Sequence, residues 1–216
     1  MLLFLPVIGL EIGCLWAAVG SLAVYFGLPK PITAVILTAL PFILTGFIHL
    51  DGFMDVSDAV GSCRDLGKRR DILKDPHVGS FAVIGCVLLM MTQFGCFLST
   101  NTGYGILVFL PAVSRCCSAL AIVLLKPMST SQYAGQKKAA SGVIVLAAML
   151  ICLSAAGFAV FGYLGFVLLS CIASSTCAIL YGYRNLDGMN GDISGYAITV
   201  GELCGVAVLA ILGGCL

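Results

Sequence analysis

Gly142-Val-Ile-Val-Leu-Ala-Ala-Met-Leu-Ile-Cys-Leu-Ser-Ala-Ala-Gly-Phe-Ala-Val-Phe161 contains no charged residue, and neither does its continuation from Gly162 to Tyr183. A helix needs about 20 apolar residues to cross the hydrocarbon of a bilayer, so this stretch is about twice one crossing. Gly157, Gly162 and Gly165 permit a turn near its middle, and the stretch is read as two spans. Outward from it, further apolar runs occupy Leu3 to Leu28, Ile32 to Leu50, Ser80 to Leu98, Tyr104 to Leu125 and Ile193 to Leu216. The expectation is an all-α, polytopic integral membrane helix bundle with about seven transmembrane helices, forming a single domain over residues 1–216.

Composition points the same way. The chain is 60% hydrophobic and only 10% charged, against about a quarter charged for a soluble domain, so lipid must cover most of its surface. The opening Met1-Leu-Leu-Phe-Leu-Pro6 has no basic residue, and the first run is read as a span rather than a cleavable signal. No basic stripe with interleaved aromatics occurs, which argues against nucleic-acid binding. No internal repeat suggests two inverted transporter halves. Six of the cysteines (Cys14, Cys86, Cys96, Cys152, Cys171 and Cys204) lie inside apolar runs, no CxxC occurs, and Cys116 and Cys117 are adjacent; all are read as reduced packing residues.

Basic residues set the orientation. Arg64, Lys68, Arg69, Arg70 and Lys74, then Lys126, Lys137 and Lys138, then Arg184 fall in alternate connections, while the opposite connections carry only Lys30. The positive-inside rule makes the rich loops and the N-terminus cytoplasmic. Asp51, Asp55, Asp58, Asp65, Asp71, Asp75, Asp187 and Asp192 lie in the same loops or at their helix ends. Polar chemistry is therefore expected at the cytoplasmic face of a cell membrane, in an acidic and basic segment of about residues 49–79.

Within it, His49-Leu-Asp-Gly-Phe-Met-Asp-Val-Ser-Asp58 spaces Asp51, Asp55 and Asp58 at i, i+4 and i+7, directions within about 60° of one another on an α-helix. Like charges so placed repel by roughly 3 kcal/mol per pair at an effective dielectric of about 20, and a bound cation is the natural compensation. Oxygen ligands without a thiolate favour Mg²⁺ or Mn²⁺. The plainer reading is a solvated helix end paired with Arg64, Lys68 and Arg69. In Lys74-Asp75-Pro76-His77-Val78-Gly79, Pro76 ends or redirects the preceding helix and Gly79 permits a tight backbone, so that Asp75 could return toward the cluster; His77 is read as an ordinary loop histidine.

Arg115, Glu202 and Glu11 lie inside apolar runs. Each costs on the order of 2.5–3.5 kcal/mol at a helix centre, so each is expected to face the bundle interior and be partnered, Arg115 with Glu202. Gly188-Met-Asn-Gly-Asp192-Ile-Ser-Gly195 is a glycine-rich turn leading into a helix, a place where backbone N–H groups can approach an anion.

Together these motifs resemble the adenosylcobinamide-GDP ribazoletransferase family, also called cobalamin synthase. The likeness runs in order through Pro6-Val-Ile-Gly9 with Gly13, Gly46-Phe-Ile-His49-Leu-Asp-Gly-Phe-Met-Asp-Val-Ser-Asp58, Ile72-Leu-Lys-Asp75 with Gly79, Ala112-Val-Ser-Arg115, and Gly188-Met-Asn-Gly-Asp192 with Gly195 and Gly201-Glu202. It departs where Asp75-Pro76-His77 replaces the family's Asp-Ser-Arg, Ala59 a glycine and Asn190 a threonine. The resemblance implies joining of α-ribazole, or its 5′-phosphate, to adenosylcobinamide-GDP with release of GMP. It further implies that Asp51, Asp55, Asp58 and Asp75 hold Mg²⁺ (or Mn²⁺) and the diphosphate, with Asp58 or Asp75 taking the hydroxyl proton. Lys74 and Arg115 are then phosphate contacts and His49 a polar contact beside the metal; Asn190, Asp192 and Glu202 bind the nucleotide or ribazole. The partners are the two substrates and the bilayer, and an oligomer is left open. The rival readings are a CDP-alcohol type phosphotransferase or a prenyltransferase, whose second motifs are missing, and a small cation transporter.

Overall fold

The computed structural model describes residues 2–128 and 140–214, so Lys137 and Lys138 lie outside the described residues. Among the described residues the chain forms nine α-helices: α1 Leu5–Tyr25, α2 Lys30–Leu44, α3 Ile48–Gly61, α4 Leu66–Ile72, α5 Ser80–Ser99, α6 Leu110–Leu124, α7 Ala140–Phe161, α8 Phe166–Leu186 and α9 Gly191–Gly214. The protein is a polytopic membrane helix bundle. By length and apolarity five runs qualify as spans, Leu2–Tyr25, Ser80–Ser99, Gly105–Leu124, Ser141–Leu186 and Gly191–Gly213, and the bent pair α2 and α3 makes a sixth. The expected seven is reached only by also dividing the 46-residue Ser141–Leu186 run. A 3₁₀ turn at Gly162–Gly165 breaks that run into α7 and α8, and Gly162 has φ +57°, which costs a glycine nothing.

The second expected span, Ile32 to Leu50, needs correction. The α2 helix stops at Leu44 and α3 leaves it at 91°. Pro41 lies inside α2; it has no N–H to give the carbonyl of Leu37 one turn earlier. The buried indole of Trp16 on α1 donates to that carbonyl instead, at 2.8 Å. Past Pro41 the chain turns through left-handed Gly46 (φ +58°) and Phe47 (φ +63°). The Phe47 N–H closes the end of α2 on the Phe42 carbonyl at 2.8 Å, and the Asp51 N–H opens α3 on the Phe47 carbonyl at 2.8 Å.

At the centre is α6, on which Leu110 to Ala119 are buried without interruption. One core cluster joins Trp16, Leu37, Phe97, Tyr104, Leu107, Leu110 and Leu168. A second, toward the acidic end, joins Val56, Ala59, Cys117, Ile179, Leu186, Met189 and Ile193. At that end the strand-like pairing of Pro127 with Met189 ties the end of α6 to the turn before α9, the Met128 N–H reaching the Met189 carbonyl at 2.9 Å. Cys116, Cys117 and Cys171 are buried free thiols.

Glu11 departs from expectation. The buried stripe of α1 is Gly9, Ile12, Gly13, Trp16 and Gly20, and Glu11 lies on the opposite, exposed side with no ion-pair or hydrogen-bond partner among the described residues. The helical period decides this: the glycines that let α1 approach α6 fix which face is turned inward.

Trp16→Phe should leave the Leu37 carbonyl without a donor and cost about 1–3 kcal/mol, lowering the thermal midpoint in detergent. Adding Pro41→Ala, which restores a backbone donor, should recover part of the loss.

Candidate active site

On α3 the three aspartates share a face, as their spacing requires. Asp51, Asp55 and Asp58 line one cavity together with Met54, Ile72, His77, Val78, Gly79 and Ala82. Its volume of ≈ 30 Å³ suits a water or an ion, so a nucleotide must approach from outside. Half-buried Asp55 is repelled by Asp51, by Asp192 and by Asp58. Asp192 arrives because Gly52 has no side chain: a Cβ there would come within 2.9 Å of the Asp192 carbonyl oxygen. Gly79 does the same for Asp58, since a Cβ at Gly79 would overlap that carboxylate. Asp58 therefore sits against the residue that opens α5, where the helix end carries partial positive charge.

No lysine or arginine pairs with Asp51, Asp55 or Asp58 among the described residues. The pairing with Arg64, Lys68 and Arg69 in the plainer reading is therefore absent among the described residues, although Asp51 is exposed. Lys68 pairs with Asp65 at 3.6 Å. Arg69 donates to the Asn185 side chain at 2.7 Å. Arg70 donates to the carbonyls of Leu186 at 3.0 Å and Asp187 at 2.7 Å. The two arginines thus latch α4 onto the C-terminal end of α8, where carbonyls lack helical partners. No sequence signal announces this contact, because its members lie 116 or 117 residues apart. Among the described residues Arg64 and Lys74 remain without an ion-pair partner.

Asp75 is exposed and is not among the residues lining the cavity. Its Oδ1 accepts the His77 N–H at 3.0 Å and lies 2.6 Å from His77 Nδ1; the backbone bond first, then the ring, hold its carboxyl below the usual range. His77 lines the cavity in its place. Among the described residues no group of three or more Asp, Glu, His or Cys side chains is drawn together closely enough to hold a metal by itself. The donors nevertheless suit a hard divalent cation: three carboxylates beside one imidazole, no thiolate, and an ion-sized space. Magnesium in particular keeps waters or substrate oxygens in several positions and needs no closed protein cage.

Asn190 caps α9. Its Oδ1 accepts the Ile193 N–H at 3.0 Å and its Nδ2 donates to Asp192 at 2.6 Å, which orients Asp192 and leaves little of Asn190, 8% exposed, for a ligand. Deeper in the bundle, Arg115 and Glu202 form the expected pair, Nη1 to Oε1 at 2.7 Å, with side chains 2% and 8% exposed. The Ser114 hydroxyl donates to the same Glu202 oxygen at 2.8 Å. Arg115 Nη1 also reaches the Pro111 carbonyl at 2.9 Å, and Nη2 lies 3.4 Å from His49 Nδ1. Arg115 and Glu202 are thus enclosed, and His49 is their contact with the acidic helix.

Arg70→Ala should release α4 and the segment it holds beside the cavity. Hydrogen exchange of residues 66–79 in detergent is expected to quicken, with the spans unchanged.

Known proteins are similar to this chain along nearly its whole length. The family model described as cobalamin-5-phosphate synthase matches residues 1–210. The chain is 37% identical over 215 residues to the adenosylcobinamide-GDP ribazoletransferase of Clostridium perfringens, covering 96% of this chain and 85% of the relative. It is 34% identical over 211 residues to the Clostridium botulinum protein of that name, covering 93% and 82%. It is 33% identical over 221 residues to the one from Pseudomonas putida, covering 97% and 87%. No solved structure matches significantly. Since the matched residues include every helix that builds the acidic cavity and its buried ion pair, the chain belongs to the cobalamin-5-phosphate synthase family.

Proposed function

We propose that this protein is a divalent-metal-dependent adenosylcobinamide-GDP ribazoletransferase of the cell membrane, with its acidic cavity facing the cytoplasm. It joins α-ribazole, or its 5′-phosphate, to adenosylcobinamide-GDP and releases GMP. The observation that carries the reading is the set of three carboxylates, Asp51, Asp55 and Asp58, lining one ion-sized cavity with no lysine or arginine paired to them among the described residues. The basic connections at the same end support the orientation.

Asp51, Asp55 and Asp58 would hold Mg²⁺ or Mn²⁺, with Asp192 beside them. When bound, the ion supplies charge neutralisation at a diphosphate, the main requirement of phosphoryl transfer. The ribose hydroxyl oxygen forms a bond to the phosphorus attached to the cobinamide arm, and the bond from that phosphorus to the bridging oxygen breaks, GMP leaving with its electron pair. The hydroxyl proton needs an acceptor, and Asp58 is better placed than Asp75: it lines the cavity, whereas Asp75 is exposed and bound to His77. Lys74, exposed two residues after the cavity-lining Ile72 and without an ion-pair partner among the described residues, binds a phosphate oxygen. Arg115 is enclosed and satisfied by Glu202 and Pro111, which supports a supporting role rather than direct phosphate contact. A cation transporter would need its carboxylates along a path across the membrane; here they gather at one end, and Glu202 is already neutralised.

Asp55→Ala should abolish Mg²⁺-dependent GMP release, followed by chromatography, while the protein stays folded in detergent; full turnover in that variant would remove the metal assignment. Lys74→Ala removes a charge-assisted contact of about 1.5–3 kcal/mol. It should raise KM for adenosylcobinamide-GDP roughly tenfold to hundredfold.

A further inference from the structure

His49 is held on two sides. Its carbonyl accepts the Thr199 hydroxyl at 3.2 Å, and a Cβ at Gly195 would come within 3.0 Å of that carbonyl oxygen, so α9 lies directly against its backbone. Its ring faces Arg115, whose Nη2 lies 3.4 Å from Nδ1. A guanidinium has donors only, so Nδ1 is the acceptor, and the imidazole proton belongs on Nε2. Arg115 has little freedom to do otherwise: Glu202 and the Pro111 carbonyl occupy Nη1 at 2.7 and 2.9 Å, and the side chain is 2% exposed. Nε2 of His49 has no hydrogen-bond partner among the described residues, yet it is not among their enclosed unpartnered atoms. A fixed, open N–H therefore stands on the first turn of α3, on a different side of the helix from Asp51 two residues on.

We propose that Glu202 and Arg115 are positioning residues that lock His49 as an Nε2–H donor, and that this N–H binds a substrate oxygen outside the ion-sized cavity, whose lining does not include His49. The second half rests on the transferase reading above. A donor held in place before the substrate arrives needs no reorganisation to make its hydrogen bond. The buried pair then acts on catalysis through His49 without meeting substrate.

The chain has two histidines, so ¹⁵N-histidine labelling in detergent, with His77→Ala for assignment, reads the tautomer directly. The expected spectrum has Nδ1 unprotonated and Nε2 protonated. In Arg115→Lys or Glu202→Gln, whichever retains the helical circular dichroism, the ring is expected to become a mixture of tautomers. A proton on Nδ1, or a tautomer unchanged in the folded variant, overturns the positioning role. His49→Gln keeps a donor near the Nε2 position, whereas His49→Asn places its nitrogen near Nδ1. Thus His49→Asn should lose about tenfold or more in kcat while His49→Gln retains most of it; equal losses overturn the donor role. If the unsubstituted protein released no GMP, the substrate contact would fall together with the reaction, while the tautomer measurement would still decide the lock.

Discussion

A single hydrogen bond, from the Trp16 indole to the Leu37 carbonyl, sets the geometry from which the site is built. Inside a bilayer no water waits to satisfy a backbone group, so a helix can be interrupted only where another part of the protein supplies the missing partner. Pro41 removes a donor from α2, Trp16 replaces it, and the chain is then able to turn through 91° into α3. Without that turn the aspartates would continue a membrane-crossing helix. With it they belong to a separate short helix that packs against α9 and α5, where Gly52 and Gly79 admit Asp192 and hold Asp58.

Charge is handled differently at the two levels of the bundle. Deep in the core, Glu202 and Arg115 are paired and further bonded to Ser114 and Pro111, which is what makes buried charges tolerable. At the acidic end, Arg69 and Arg70 are occupied with the α8 terminus, and Lys68 with Asp65. The carboxylates of α3 are left to repel one another. The cation proposed for the cavity would relieve that repulsion.

Much of this was legible in the sequence. The apolar runs located the bundle, the spacing of Asp51, Asp55 and Asp58 gave their common face, and two opposite charges inside apolar runs identified Arg115 and Glu202 as partners. What was hidden depended on three-dimensional neighbours. The end of α2 was hidden because Ile43 to Leu50 is apolar enough to extend it. Asp75 turned outward because a histidine two residues on offers it a closer bond than the cluster does. Glu11 faces outward because the α1 glycines decide which side meets α6. The arginine latch joins segments over a hundred residues apart, beyond any local pattern.

The smallness of the cavity between α3 and the start of α5 has a consequence for selectivity. A space of ≈ 30 Å³ admits an ion or a water and nothing the size of a base, a sugar or its phosphate ester. Recognition of any such group must then be made by other surfaces of the bundle.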